Sequence, residues 1–232
     1  MWFLSLPFVD ISSTGDEISA VIVTPAGERS RLLFDQFASA DAVTEVTAQT
    51  ILRVHGEAHH WRLPALSETA RDMLAPAVRP APFVPAPADQ TEARIRAVLA
   101  ADGRASAAAI AARAGIPPTT VRRRLHAMDE AGTLLTGVLV DPARLGLHVD
   151  ANLVLTVPPA RLDAVARTLA GHPAVHGVIA TTGVANLNVA VWLPGLDDLY
   201  DFLTRGLASL DVMAAETILV GEAVKRPGRD PQ

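Results

Sequence analysis

The chain has no cysteine, one lysine (Lys225), one tyrosine (Tyr200), and aromatic residues make up only 4% of its 232 positions. Without cysteine there is no disulfide and no thiolate metal site, which suits the reducing cytoplasm where we place the protein. No apolar run reaches the roughly 18–20 residues that cross a bilayer, so no membrane partner is expected. Residues 1–9 are apolar but lack a basic flank and a small-residue cleavage site, and they read as structure, not as a signal peptide. With lysine almost missing and alanine abundant, arginine serves nearly every basic position, so an arginine run says less here than usual. His55 and His59 stand at i, i+4 beside His60 and Trp61, but no third ligand follows at a useful spacing. A surface cluster is the reading, with no metal and no cofactor.

What is present is enough apolar material for a core: half the residues are hydrophobic. The net charge of −5 argues against a nucleic-acid partner until it is read by segment. Residues 89–135 hold seven arginines against Asp89, Glu92, Asp102, Asp129 and Glu130, a local net of +2. The acidic excess lies elsewhere.

A proline-rich stretch, 75–88, removes backbone donors and favours extended geometry, so it reads as a semi-rigid linker after an N-terminal segment 1–74. Three short helices follow within 89–140. Asp89 caps the first, with Ile95, Val98 and Leu99 inward and Asp102-Gly103 as the stop. Ser106 caps the second, with Ile110 and Ala111 inward and Gly115 as the breaker. The third starts near Pro118, a residue suited to a first turn, and its stripe is Val121, Leu125 and Met128. Gly132 ends it. From 149 to 226 the period alternates. Strands are expected at 151–157, 175–181, 187–193 and 212–224, and helices at 159–170 (Leu162, Val165 and Leu169 inward) and 196–210 (Leu199, Phe202, Leu203 and Leu207 inward). Asp197-Asp198 suits the start of the second of these through the helix dipole. The order βαββαβ is ferredoxin-like. The fold class is therefore α+β, a three-helix helix-turn-helix plus a βαββαβ domain.

The chain also repeats itself. Residues 14–25 parallel 182–194 with one residue of slippage, and Gln49-Thr50-Ile51-Leu52 echoes Glu216-Thr217-Ile218-Leu219. Residues 1–74 thus read as a partial second copy of the C-terminal domain. Aligning the copies puts Met1 just before the second strand of the first one. The expectation is a native start further upstream, with 19–24 and 47–54 left with unpaired edges and Leu32 and Phe34 uncovered. The rival is that the same chain's C-terminal domain, or a partner, covers the remnant.

The run Gly103-Arg104-Ala105-Ser106, then Ala111-Ala112-Arg113-Ala114-Gly115-Ile116-Pro117-Pro118-Thr119-Thr120-Val121-Arg122-Arg123-Arg124-Leu125, resembles the helix-turn-helix of the Lrp/AsnC regulators, of a tandem type. The βαββαβ domain stands where that family has its effector-binding and oligomerising domain. The resemblance covers about 88–226. Pro117 replaces the family's capping serine, and Gly183-Val184-Ala185-Asn186 replaces its Gly-x-Tyr/Phe-Asp loop, losing both aromatic and acid.

With Val121 and Leu125 inward, Thr119 and Arg123 point nearly opposite, and Thr120 and Arg122 flank them. A recognition helix brings its N-terminal residues nearest the bases. Thr119, Thr120 and Arg123 are candidates for base edges, and Arg122 and Arg124 for phosphates. Ser106 and the start of its helix are placed to meet the DNA backbone. Any effector is expected at the turn of Thr182, Gly183 and Asn186. The resemblance implies a transcription regulator acting on double-stranded DNA, a homodimer or higher oligomer through the βαββαβ domain, with a small metabolite such as an amino acid as effector and no catalysis. Two other readings share the architecture. One is a sirohaem-decarboxylase-like enzyme, with His148, His172 and His176 in or near the βαββαβ domain. The other is an accessory subunit that does not bind DNA.

Overall fold

Local caps set the helices. Asp89 accepts the Glu92 amide at 2.9 Å and opens α1, Gln90–Ala101. Ser106 accepts the Ala109 amide at 3.2 Å and opens α2, Ala107–Ala114. Gly115 ends α2 at φ 65°, a conformation glycine takes without a Cβ penalty, and the Ile116 amide reaches back to the Ala111 carbonyl at 3.1 Å. α3, Pro118–Glu130, has no side-chain cap, as the proline at position 117 implies, and gains a pre-set φ from Pro118 instead. The expected inward stripes are inward. Ile95, Ile110, Ala111, Ile116, Val121 and Met128 are buried, with Val98, Leu99 and Leu125 packed beside them.

These elements come from a computed structural model that describes residues 10–14, 17–22, 44–56, 58, 61, 67, 69–70, 73, 88–134 and 140–225. His59, His60, Leu32, Phe34 and nearly all of the proline-rich stretch lie outside them. The chain divides into two units, Ala65–Leu139 and Met1–Pro64 with Val140–Gln232.

The second unit holds the ferredoxin-like order. Its elements are β4 (Val149–Thr156), α4 (Leu162–Ala170), β5 (Val175–Thr181), β6 (Leu187–Leu193), α5 (Leu196–Asp201) and β7 (Ala214–Leu219). All pairings among β5, β6, β4 and β7 are antiparallel, and they lie in that order across the sheet. Strand alternation turns Ala151, Leu153 and Leu155 of β4 inward, where Val165, Ala166 and Leu169 of α4 and Leu199, Phe202 and Leu207 complete one core. The last helix is shorter than its apolar pattern suggests. After Asp201 it widens to a π turn, Phe202–Gly206, closed by the Leu207 amide on the Phe202 carbonyl at 3.1 Å.

The N-terminal segment corrects the expectation of open edges in part. β3, Ile51–Gly56, lies antiparallel on β5 and makes the sheet five-stranded. β2, Glu17–Val21, pairs with β1, Asp10–Thr14, which pairs in turn with β8, Glu222–Lys225. The β3–β5 ladder thus satisfies backbone groups on one edge of β3 that sequence reading left bare. β2 and β3 each remain the outer strand of a sheet among the described residues.

His172 sits against this core, its ring edge-on to Phe202 at 4.9 Å and its Nδ1 accepting the Ala174 amide at 3.2 Å. Desolvation lowers its pKa below the ordinary imidazole value. The neutral form is therefore the one the fold holds, and the unfolded chain takes up a proton first as the pH falls. Stability from this site is complete above about pH 6.5 and is lost as the pH drops through the folded value. Urea midpoints at pH 7.5 and 5.5 should differ more for the wild type than for His172→Asn; equal differences would remove His172 from the pH response.

Candidate nucleic-acid interface

The outer face of α3 presents Thr119, Arg122 and Arg123 exposed, with Thr120 half-buried. The inward side of the helix is fixed by fully buried Val121 and by Met128, so these side chains stand on a rigid support. Arg122 and Arg123 carry no ion pair among the described residues. Ser106 is exposed at the start of α2, its hydroxyl engaged as the helix cap.

Arg124, read from the sequence as a phosphate contact, is committed inside the unit. Its Nη2 lies 2.6 Å from Asp89 Oδ2, and its Nη1 lies 3.1 Å from Glu92 Oε1. The guanidinium thereby ties α3 to the first turn of α1, and its charge helps hold the Asp89 carboxyl below the usual carboxylate range, behind the larger effect of the Glu92 amide. The consequence is a division of labour along three consecutive arginines: two face outward, and the third orients the helix that carries them. Arg124→Ala should cost about 1 kcal/mol of stability, a partly exposed pair of charge-assisted bonds. Denaturant unfolding of that variant checks it, and an unchanged midpoint would remove the anchoring role.

The second candidate site is the turn between β5 and β6. Gly183 has φ 111° there. The Asn186 carboxamide bonds both sides of one residue, accepting the Val157 amide at 3.0 Å and donating to the Val157 carbonyl at 2.9 Å. Asn186 thus pins the turn to the end of β4. Residues that sequence reading did not connect with this turn reach it from the N-terminal segment. The Thr50 amide donates to Thr182 Oγ1 and the Thr182 amide donates to the Thr50 carbonyl, both at 2.9 Å. Gln49 Oε1 accepts from Thr181 Oγ1 at 3.1 Å and from Asn188 Nδ2 at 3.4 Å, and its Nε2 donates to the Ala185 carbonyl at 3.3 Å. A Cβ built on Gly183 would lie 3.1 Å from Gln49 Nε2, so glycine here permits the close approach. The signal was in the repeat, where Gln49-Thr50 aligns with Glu216-Thr217, but the repeat does not say which turn the pair meets. Asn186→Ala removes two partly buried bonds and leaves the Val157 amide and carbonyl unpaired. About 1–3 kcal/mol should be lost, seen as a lower thermal midpoint.

The histidines behind the enzymatic reading are held by separate neighbours. His148 is exposed. His172 packs on Phe202 as described. His176 stacks on Trp192 with ring centroids 3.7 Å apart, its Nε2 at 3.8 Å from Asp150 Oδ1.

A three-helix unit with an arginine-bearing third helix, joined to a ferredoxin-like domain, defines a helix-turn-helix regulator with a separate effector module. Family models agree on both parts. Residues 89–129 match the AsnC-type helix-turn-helix domain, and residues 152–230 match the Lrp/AsnC ligand binding domain. The chain belongs to the Lrp/AsnC family. The HTH-type transcriptional regulator LrpA1 of Halobacterium salinarum is 30% identical over 139 residues, 59% of this chain and 98% of that protein. An uncharacterized HTH-type transcriptional regulator of Pyrococcus horikoshii is 26% identical over 141 residues, 60% of this chain and 89% of its own length. Among solved structures, E. coli AsnC superposes with a TM-score of 0.57 at 21% identity, over 63% of this chain and all of that one. A Neisseria meningitidis regulator solved with L-Met gives the same score at 21% identity, over 61% of this chain and 94% of that one. These structures share the fold. None of these relatives supports the decarboxylase or accessory-subunit readings.

Proposed function

We propose that the protein regulates transcription by sequence-specific binding of double-stranded DNA, with Arg123, Thr119 and Thr120 at base edges and Arg122 on phosphate. The observation that carries this is the exposed pair Arg122–Arg123, without an ion pair among the described residues, on a helix whose inner side buries Val121 and Met128 and whose next arginine is tied down. The protein works in the cytoplasm without catalysing a reaction. No helix among the described residues is long and apolar enough to cross a membrane. Its effector domain oligomerises, as the family leads one to expect, and paired chains place recognition helices about one turn of DNA, roughly 34 Å, apart.

A small metabolite binds at the turn of Thr182, Gly183 and Asn186. The Neisseria relative with L-Met supports an amino acid, but this turn lacks the family's acid, so an amine is held weakly here. Selection of bound fragments from genomic DNA, sequenced with and without the common amino acids, tests both parts. Random recovery of fragments would overturn the DNA reading, and a fragment set indifferent to every amino acid would overturn the amino-acid effector.

A further inference from the structure

Two strand pairings join the repeat copies. β3 is the last strand of the N-terminal copy, since 51–56 aligns with 218–223 through Gln49 and Glu216. It lies on β5, the second strand of the C-terminal copy. β8 follows the last strand of the C-terminal copy, and it lies on β1. Thr14 aligns with Thr182, so β1 is the N-terminal copy's counterpart of β5. The N-terminal copy thus gives its final strand to the C-terminal copy's second strand, while the final strand of the C-terminal copy, β7, stays on β4 and the segment after it lies on β1. Both pairings are antiparallel, and both carry a register shift. A contact in which element i of one copy meets element j of the other, and the reverse, is the signature of a two-fold interface between like subunits. Here the half formed by β3 on β5 lies within one polypeptide.

We propose that residues 49–56, with Trp61, are a built-in partner: they fill in cis the β5 edge and the adjoining turn, where a second copy of this chain would otherwise dock. An open β5 edge would expose a row of backbone donors and acceptors, the usual template for strand addition. β3 supplies their partners. Specific side chains add to the ladder. Gln49 and Thr50 bond Thr181, Thr182, Ala185 and Asn188 as described above. Trp61 Nε1 donates to the Pro173 carbonyl at 2.8 Å, and its ring meets Trp192 edge-on at 5.1 Å. A side-chain set this specific fixes the register, which a merely opportunistic edge pairing leaves loose. The inference rests on the proposed effector-domain reading but not on DNA binding. It leaves the β5 edge occupied within the chain, so any assembly with another chain uses a surface other than that edge.

The lack of native cysteine gives a clean test in the full chain. Val54 and Ile179 are register partners. Val54→Cys with Ile179→Cys, oxidised mildly, should give a cross-link at the mass of one chain on a denaturing gel. A covalent dimer would show that β3 comes from another molecule, and no cross-link would show that the strands do not meet; either overturns the proposal. The second measurement is sedimentation at fixed concentration. Thr50→Pro removes the donor to Thr182 and opens the edge, and the sedimenting mass should double relative to the wild type. The milder pair Gln49→Ala with Thr182→Val removes side-chain bonds alone, and it must move the mass the same way if the proline unfolds the chain. A folded variant of unchanged mass overturns the docking role of the edge. DNA affinity of the cross-linked chain is read separately by anisotropy. A chain that cross-links in cis but binds no DNA would sink the regulator reading and leave this one standing.

Discussion

Arg123→Ala should erase the protein's preference for its target over random DNA. The side chain is exposed, faces opposite buried Val121, and carries no ion pair among the described residues. An arginine so placed bonds guanine O6 and N7 together, and one such contact is worth about 1–3 kcal/mol of discrimination, or roughly 5- to 150-fold in affinity ratio. Arg122→Ala provides the contrast. A phosphate contact carries no sequence information, so that variant should weaken all DNA alike and flatten the slope of log affinity against log salt by about one unit. Anisotropy titrations of a selected fragment and a scrambled one, at three salt concentrations, separate the two. An Arg123→Ala protein that keeps its preference would move base reading to Thr119 and Thr120.

Ile110→Ala should cost about 2–5 kcal/mol, the loss of transfer free energy together with the cavity left behind. Ile110 is fully buried at the centre of the three-helix cluster, among Ile95, Ala111, Ile116 and Val121. A core this small has few other contacts to spread the loss. The βαββαβ domain has a separate core, built on Leu153, Leu155, Leu187 and Val189. The loss should therefore fall on one unit. Calorimetry should show the helix-turn-helix transition moving down by many degrees while the other transition stays. DNA binding should vanish at temperatures where the effector domain is still folded. A single transition that moves as a whole would show that the two units unfold together.

Much of this was legible in the sequence because it is decided within a turn or two of chain. Asp89 and Ser106 cap the helices that follow them, Gly115 stops one, and the stripe Val121–Leu125–Met128 faces inward, since each depends on neighbours three or four residues away. The βαββαβ order followed in the same way, from apolar periods of two and of 3.6 laid end to end. The missing side-chain cap at position 117 was legible too, because a proline offers no side-chain acceptor.

The tertiary structure alone decided what depends on residues far apart in the chain. Arg124 and Glu92 are separated by 32 positions, and no wheel drawn on α3 shows that the third arginine turns to α1 while its two neighbours stay exposed. Gln49 and Ala185 are separated by 136, and only the sheet brings them within hydrogen-bond reach. The sequence displayed two copies of one pattern and left the edges of the first apparently bare. A strand edge, though, is satisfied by whatever backbone reaches it in register, and sequence periodicity is blind to that choice. Recognition chemistry was thus written locally, in the residues of one helix, while the partner of the β5 edge was settled by the fold of the whole effector unit.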